Sequence, residues 1–347
     1  MPGFCKNIIL IPLLIVIPAL ISLLFGGEAS ALDAGVYWDS LAEYKEFVKG
    51  HENSGVLVRD TGFPMYLYSV GFFYLELHKK YGNEEDLRQA VNIAGQIISE
   101  MNADFTWNFY VSQNIKGGAY SLFNCLFYEY FYELYKITGD ESYLEHSGRF
   151  IKGLKNLYKL SSDTVPFNPI YNYNFIPFAA ISSYISRFED HDEELLEMAR
   201  ECWRYSSRGI DTGTGRWFYS ESEKAAGFYD SHSALYQMIK YYYFLNNIKH
   251  IEKVFPEEAA FLYDLHDDFY GTISGMMLPS GTFYYTPDIP DYTESAGNTL
   301  LFYQLYGKMF KEAGAGLYIE RALNTVLGRQ DASGGYYTAP GDTAVRI

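Results

Sequence analysis

His232 is the residue of this chain best suited to moving a proton. An unperturbed histidine titrates near neutrality. Asp230 precedes it by two positions in Phe228-Tyr229-Asp230-Ser231-His232 and can orient the ring or balance its charge. Tyr219 and Tyr229 bring hydroxyls into the same stretch. A tyrosine, with a pKa of about 10, acts as an acid as it stands but as a base only beside a cation that lowers it. Arg59, Lys116, Arg216 and Lys224 fall in or beside the aromatic loops described below, which allows a local positive spot. Asp230-Ser231-His232 also reads as a helix start, with Asp230 as the cap and His232 in the first turn, and both readings stand at this level.

A second chemistry is glycoside hydrolysis, which needs two carboxylates across a cleft. Asp60, Asp104, Asp211, Glu221, Asp230, Asp288, Asp291 and Glu294 occupy suitable loops, and spacing singles out no pair among them. Several chemistries are excluded. The chain has no glycine-rich phosphate loop, no G-x-S-x-G and no H-E-x-x-H. Its other six histidines lack metal-ligand spacing, so neither a metal nor a cofactor is expected. Cys5, Cys125 and Cys202 are too few for a disulfide framework or a multi-cysteine zinc site. Cys125 and Cys202 fall on helices, where they are expected to pack rather than react.

The elements that must position these residues form a repeat. Five segments are apolar or aromatic on most sides, as buried helices are: Pro64–Tyr81, Gly118–Ile137, Phe175–Phe188, Tyr229–Asn246 and Thr293–Phe310. Between them lie helices with one polar face: Glu84–Met101, Glu141–Tyr158, Asp192–Ser207, Pro256–Asp268 and Ala315–Leu327. Asn83, Asp140 and Asp190 stand where helix caps belong. A further amphipathic helix is expected over Trp38–Lys49. An apolar or aromatic loop precedes each of these five helices, and a sixth such loop lies near the C-terminal end; Val56, Trp107, Phe167, Trp217, Phe283 and Tyr336 mark the six at steps of 51, 60, 50, 66 and 53 residues. That step suits two helices and two loops.

Alternating buried and half-buried helices specify an all-α, (α/α)6-type toroid of inner and outer helices, read as a single domain over residues 32–347. The sixth marker opens no helix, so the sixth inner helix is missing or supplied elsewhere. In such a toroid the loops leading into inner helices share one mouth, and aromatic loops there would line a concave surface fit for sugar rings. Arg59, Asp60, Trp107, Tyr110, Asp211, Arg216, Trp217 and Tyr284 are the expected substrate-binding residues of that mouth. The competing reading is that the aromatics pack the interfaces between repeats.

The stretch Ile210-Asp211-Thr212-Gly213-Thr214-Gly215-Arg216-Trp217-Phe218-Tyr219, followed by Phe228-Tyr229-Asp230-Ser231-His232, resembles the C-terminal domain of the D-glucuronyl C5-epimerases. Gly55-Val56-Leu57-Val58-Arg59-Asp60 and the Thr138-Gly139-Asp140 turn are similar to further segments of that family. The resemblance runs from about Gly55 to Gln237 and implies a toroid that inverts C5 of uronic-acid residues in an intact glycan. Carried over by position, it marks Asp211, Gly213, Gly215, Asp230 and His232. The chain departs from the family where a tyrosine falls on Phe218, with Tyr219 one place later, and where another falls on Ser231. It also lacks the family's glutamate-tyrosine-proline segment, since Val165-Pro166-Phe167-Asn168-Pro169 has no carboxylate, and its preceding β-rich part. On this reading Tyr219, Tyr229, Asp230 and His232 are the catalytic set. Hydrolase, lyase and non-catalytic glycan-binding readings remain alternatives.

The 347 residues carry a net charge of −16, which gives no general basic face for nucleic acid. An apolar fraction of 48% fits a folded chain, and 34 tyrosines with 25 phenylalanines are its compositional peculiarity. Lys6, the apolar run from Ile8 to Phe25 and Ala29-Ser30-Ala31 are the parts of a secretory signal peptide. Cleavage is expected after Ala31, with an uncleaved membrane anchor as the alternative. The expected partner is therefore an extracytoplasmic glycan.

Overall fold

The computed structural model describes residues 34–54, 63–112, 115–158, 166–226, 244–282, 303, 306–307, 309–310, 314–337 and 345–346. Its helices are α1 (Ala34–Ser54), α2 (Phe63–Tyr81), α3 (Glu84–Glu100), α4 (Ser121–Thr138), α5 (Glu141–Tyr158), α6 (Asn172–Phe188), α7 (Glu193–Ser207), α8 (Glu221–Ala226), α9 (Pro256–Asp264), α10 (His266–Met276) and α11 (Ala315–Leu327). Residues 244–254 are also helical. Three two-stranded hairpins pair β1 (Asn108–Ser112) with β2 (Ile115–Ala119), β3 (Ile210–Asp211) with β4 (Arg216–Trp217), and β5 (Tyr336–Tyr337) with β6 (Val345–Arg346). The chain divides into two compact units: 1–93 with 109–117 and 277–347, and 94–108 with 118–276.

In the second unit the helices form hairpins in two layers. α4 packs on α5 and α6 on α7, while α4 lies against α6 and α5 against α7. The apolar sequence of α4 explains its place: every residue from Ser121 to Phe131 is buried. α6 is buried from Tyr173 to Ile185. Each large apolar side chain so enclosed contributes about 1.5–3 kcal/mol. α5 and α7 bury one stripe, such as Leu195, Met198, Ala199 and Cys202 of α7. The tyrosines follow this pattern, and Tyr128, Tyr130 and Tyr171 are fully buried. Cys125 and Cys202 are buried free thiols, and burial pushes both pKa values up.

The element bounds correct the sequence expectation at four points. α4 begins at Ser121 because Ile115–Ala119 pairs as a strand, and α6 begins three residues earlier than periodicity suggests. The cap of α7 is Asp192, whose Oδ1 accepts from the amides of Glu194 and Leu195. Asp190 instead accepts from the Asp192 amide and the Tyr184 hydroxyl. The helix expected over Pro256–Asp268 is α9 and α10, separated at Leu265.

In the first unit α1 buries Leu41, Tyr44 and Val48, and Tyr44 meets Phe73 of α2 edge to face at 5.3 Å. Lys45 of α1 pairs with the buried Asp86 at the start of α3, 2.5 Å away. The turn at 330–335 rests on α1. Gln330 Nε2 donates to the Ser40 carbonyl at 2.7 Å, and a Cβ at Gly334 would stand 2.3 Å from the Glu43 carbonyl oxygen.

One turn recurs with this geometry. At 102–106, 278–282 and 331–335 an amide reaches the carbonyl four residues on, as in Leu278 to Thr282 at 2.8 Å. Residue four of each has positive φ: Phe105 at 62°, Gly281 at 78° and Gly334 at 89°, and Gly215 in the β3–β4 turn has 68°. At Gly215, Gly281 and Gly334 a Cβ would strike the backbone of a following outer helix, or of α1. At Phe105 the glycine is on the other side: Gly153 of α5 leaves room for the Phe105 carbonyl.

Candidate functional site

Three tyrosines from successive repeats of the second unit come together. Tyr120 is the residue immediately before α4, Tyr173 lies in the first turn of α6, and Tyr219 follows β4. The rings of Tyr120 and Tyr173 meet edge to face at 4.9 Å. Their hydroxyls share a hydrogen bond that holds Tyr120 protonated. Tyr219 lies near enough that a charge on it would bear on Tyr120. Tyr173 is 8% exposed, and Tyr120 and Tyr219 are half-buried.

Backbone contacts fix all three. The Tyr120 amide donates to the Trp107 carbonyl at 3.1 Å, and the Tyr219 carbonyl accepts from the Tyr171 amide at 3.1 Å. Ile170 and Ser220 form an antiparallel bridge beside the latter. Asn174 braces the start of α6: its Oδ1 accepts from the Phe167 amide at 3.0 Å, and its Nδ2 donates to Asn168 and Ile170 carbonyls. This bracing matters because Pro177 offers no N–H to the Tyr173 carbonyl.

The electrostatics keep the Tyr120 and Tyr173 hydroxyls neutral. Burial, then the neighbouring Tyr173 and Tyr219, push the Tyr120 pKa far above the ordinary tyrosine value. Burial also raises Tyr173. At Tyr128, by comparison, Arg187 tempers a pKa that burial pushes up to about 12. Tyr120 and Tyr173 can donate and accept hydrogen bonds but cannot serve as bases.

The sequence-derived candidates separate into three groups. Tyr219 belongs to the cluster, while Tyr120 and Tyr173 were not among the expected site residues. Trp107 and Trp217 are 1% exposed and lie in the core rather than on an open surface. Trp107 Nε1 donates to the Ile97 carbonyl at 3.0 Å and its ring meets Phe127 at 5.2 Å, while Trp217 meets Phe175 at 5.3 Å. They hold the loops in place, and neither offers a face to a sugar. Asp211 is committed to its turn, with Oδ1 accepting from the Gly213 amide and Oδ2 from the Thr214 hydroxyl, both at 3.0 Å. Arg59, Asp60, Tyr229, Asp230, His232 and Tyr284, and the side chains of Tyr110 and Arg216, lie outside the described residues.

Two further carboxylates of the hydrolase reading are placed. Asp104 accepts from the Thr106 amide and hydroxyl, and Glu221 stands at the start of α8. Lys224 donates to the Arg208 carbonyl. Among the described residues no group of three or more His, Cys, Asp or Glu could hold a metal, and no helix is long and apolar enough to cross a membrane.

The fold is that of the (α/α)6 toroid enzymes. A glycosyl hydrolase of family 88 from Bacteroides vulgatus is similar over 88% of this chain and 91% of its own, at 12% identity and a TM-score of 0.57. A polysaccharide lyase matches over 89% of both chains at 13% identity and a TM-score of 0.56. Cellobiose 2-epimerase from Bacillus thermoamylovorans B4167 matches over 81% of both chains at 14% identity and a TM-score of 0.58. No known family's sequence profile matches the chain, and no curated protein is significantly similar in sequence.

Proposed function

We propose that this protein is an extracytoplasmic carbohydrate-active enzyme that takes a uronate-containing glycan and removes the proton at C5. The observation that carries the reading is the nearness of Tyr219 to the Tyr120–Tyr173 pair, which lies where loops lead into α4 and α6. Phenol faces and hydroxyls suit a sugar ring. Toroids similar to this chain include a hydrolase, a lyase and an epimerase, all acting on carbohydrate.

In this scheme His232 takes the C5 proton with Asp230 orienting it, and the electron pair moves into the carboxylate. Tyr219 and Tyr229 act as hydroxyl acids, returning a proton to C5 or assisting a leaving oxygen. Trp107, Trp217 and Asp211 shape the loops. Export through the segment ending at Ala31 supplies the compartment, with a membrane anchor as the alternative. Hydrolysis is the second reading. Asp104 and Asp211, two of its carboxylates, are occupied by their own turns, so it depends on other acids.

Incubation with uronate polymers in D2O tests this. Deuterium at C5 of an intact chain, or an unsaturated uronate end, is the expected result. New saturated reducing ends without deuterium would replace the reading with hydrolysis. Tyr219→Phe should lower turnover by about 10²–10⁴-fold with unchanged melting temperature, the usual worth of a general acid.

A further inference from the structure

We propose that Asn174 is a positioning residue for Tyr219: one buried side-chain amide shapes the loop at 167–171, and that loop fixes the backbone carrying Tyr219. The inference rests on the proposed function, in which Tyr219 is a hydroxyl acid, and adds a residue that acts without touching substrate. Asn174 is fully buried, so the polar atoms of its amide need partners inside the protein. Its Oδ1 accepts from the Phe167 amide at 3.0 Å, and its Nδ2 donates to the carbonyls of Asn168 at 2.6 Å and Ile170 at 3.1 Å. Three backbone groups of one loop thus converge on a single side chain. The loop also holds itself, since Asn168 Oδ1 accepts from the Ile170 amide at 3.0 Å. From α7 the Tyr205 hydroxyl donates to the Pro169 carbonyl at 3.1 Å. Backbone bonding alone does not supply this order, because Pro169 and Pro177 bring no N–H.

The far side of this loop is the seat of Tyr219. The Tyr171 amide donates to the Tyr219 carbonyl at 3.1 Å, and Ile170 and Ser220 form the antiparallel bridge beside it. On the other side the Phe218 amide donates to the Gly209 carbonyl at 2.8 Å. Gly209 packs directly on the same loop, since a Cβ there would stand 2.4 Å from the Tyr171 ring. The backbone at 218–220 is therefore clamped between Gly209 and residues 170–171, and Asn174 sets the shape of the second jaw. A displacement of about 1 Å in the geometry of a reaction can cost on the order of 10²-fold in rate. Asn174 thereby bears on turnover through Tyr219, beyond its part in holding α6.

Hydrogen exchange on the free protein tests the coupling. Asn174→Asp keeps an acceptor for the Phe167 amide but sets a carboxylate oxygen against the Asn168 and Ile170 carbonyls. It should raise exchange by about tenfold across residues 167–173 and also across 217–221, while residues 143–154 of α5 exchange as in the wild type. Asn168→Ala removes only the acceptor for the Ile170 amide. It should give the same pattern in weaker form, and it serves where Asn174→Asp fails to fold. Faster exchange confined to 167–173, with 217–221 as in the wild type, would overturn the proposal.

Turnover separates positioning from general destabilisation. Deuterium incorporation from D2O is followed per mole of folded protein with polygalacturonate, alginate and a polymer alternating glucuronate with N-acetylglucosamine. On the polymer the wild type turns over best, Asn174→Asp should lower kcat by about 10–100-fold and leave KM within about twofold. In a Tyr219→Phe background the same change should cost less than about twofold, because the group it positions is gone. Equal losses in the two backgrounds would overturn the positioning role. Faster exchange at 217–221 in the variants, with no deuterium incorporated by the wild type, would sustain the coupling of the two loops and remove the C5 chemistry, so the two failures are distinguishable.

Discussion

Phe105 occupies a left-handed backbone position that three other turns give to glycine. An L side chain there costs about 1–2 kcal/mol, and the site persists because Gly153 accepts its carbonyl and Asn124 Nδ2 donates to it at 2.8 Å. The consequence runs against ordinary helix propensity. Replacing an exposed helical glycine by alanine stabilises by about 0.5–1 kcal/mol, and Gly95→Ala should do so, since nothing lies within 4 Å of its Cβ position. Gly153→Ala should do the reverse, because its Cβ would stand 2.3 Å from the Phe105 oxygen. Thermal melts of the two variants should therefore shift in opposite directions. A rise for both would mean the Phe105 turn is not seated as described. The left-handed glycines are legible in the sequence as Gly-containing turns, but Phe105 is not, because its glycine lies 48 positions later on another helix.

At the scale of elements, α4, the C-terminal end of α6 and the helix over 244–254 are tied by one polar group. Arg187 donates through Nη1 to the Tyr128 hydroxyl at 3.1 Å and through Nε to His250 Nε2 at 3.3 Å, and it lies 4.2 Å from the Tyr132 ring centroid. His250 Nδ1 meets the Ser186 hydroxyl at 2.9 Å, so with Nε2 as acceptor the Nδ1 carries the proton. Burial, then Arg187 and Lys253, lower its pKa to about 4. A histidine whose folded pKa is depressed leaves the unfolded chain binding more protons between the two values. His250 should therefore be without effect above pH 6.5, destabilise progressively from about 6.5 to 4, and add nothing further below 4. His250→Gln should flatten that part of the stability profile measured by urea melts. An unchanged slope would assign the acid sensitivity elsewhere. The sequence showed His250 only as one of six scattered histidines, since its partners lie more than 60 residues away.

For the molecule as a whole, the turn at 330–335 and helix α1 bear on how the repeat is completed. Outer helices were expected between five inner ones, with a further amphipathic helix at the start. The Gly334 turn rests on α1 as the Gly281 turn rests on α11 and the Gly215 turn on α10, so α1 takes the place of the next outer helix. Gly334→Val introduces both a left-handed β-branched residue and a contact with the Glu43 carbonyl. It should lower amide protection across residues 34–54 by about tenfold or more, as a cost of 1–2 kcal/mol implies. Protection there equal to wild type would mean that α1 is held independently of this turn.

The sequence by itself determined the helical repeat, the layers of α4 to α7, and the aromatic character of the loops. Those properties follow from apolar periodicity and local turn chemistry, which act within a few residues. Only the tertiary structure decided which aromatics face inward and which converge. Trp107 and Trp217 were among the expected substrate-binding residues and are core residues, because a large ring beside a gap between helices gains most by filling it. Asp211 looked like a binding carboxylate and serves its own turn. Tyr120 and Tyr173 were indistinguishable among 34 tyrosines until chain segments about 50 residues apart met. Local pattern sets the face a residue turns to, whereas the partner it finds there depends on how successive repeats stack, and the candidate site is made of such partners.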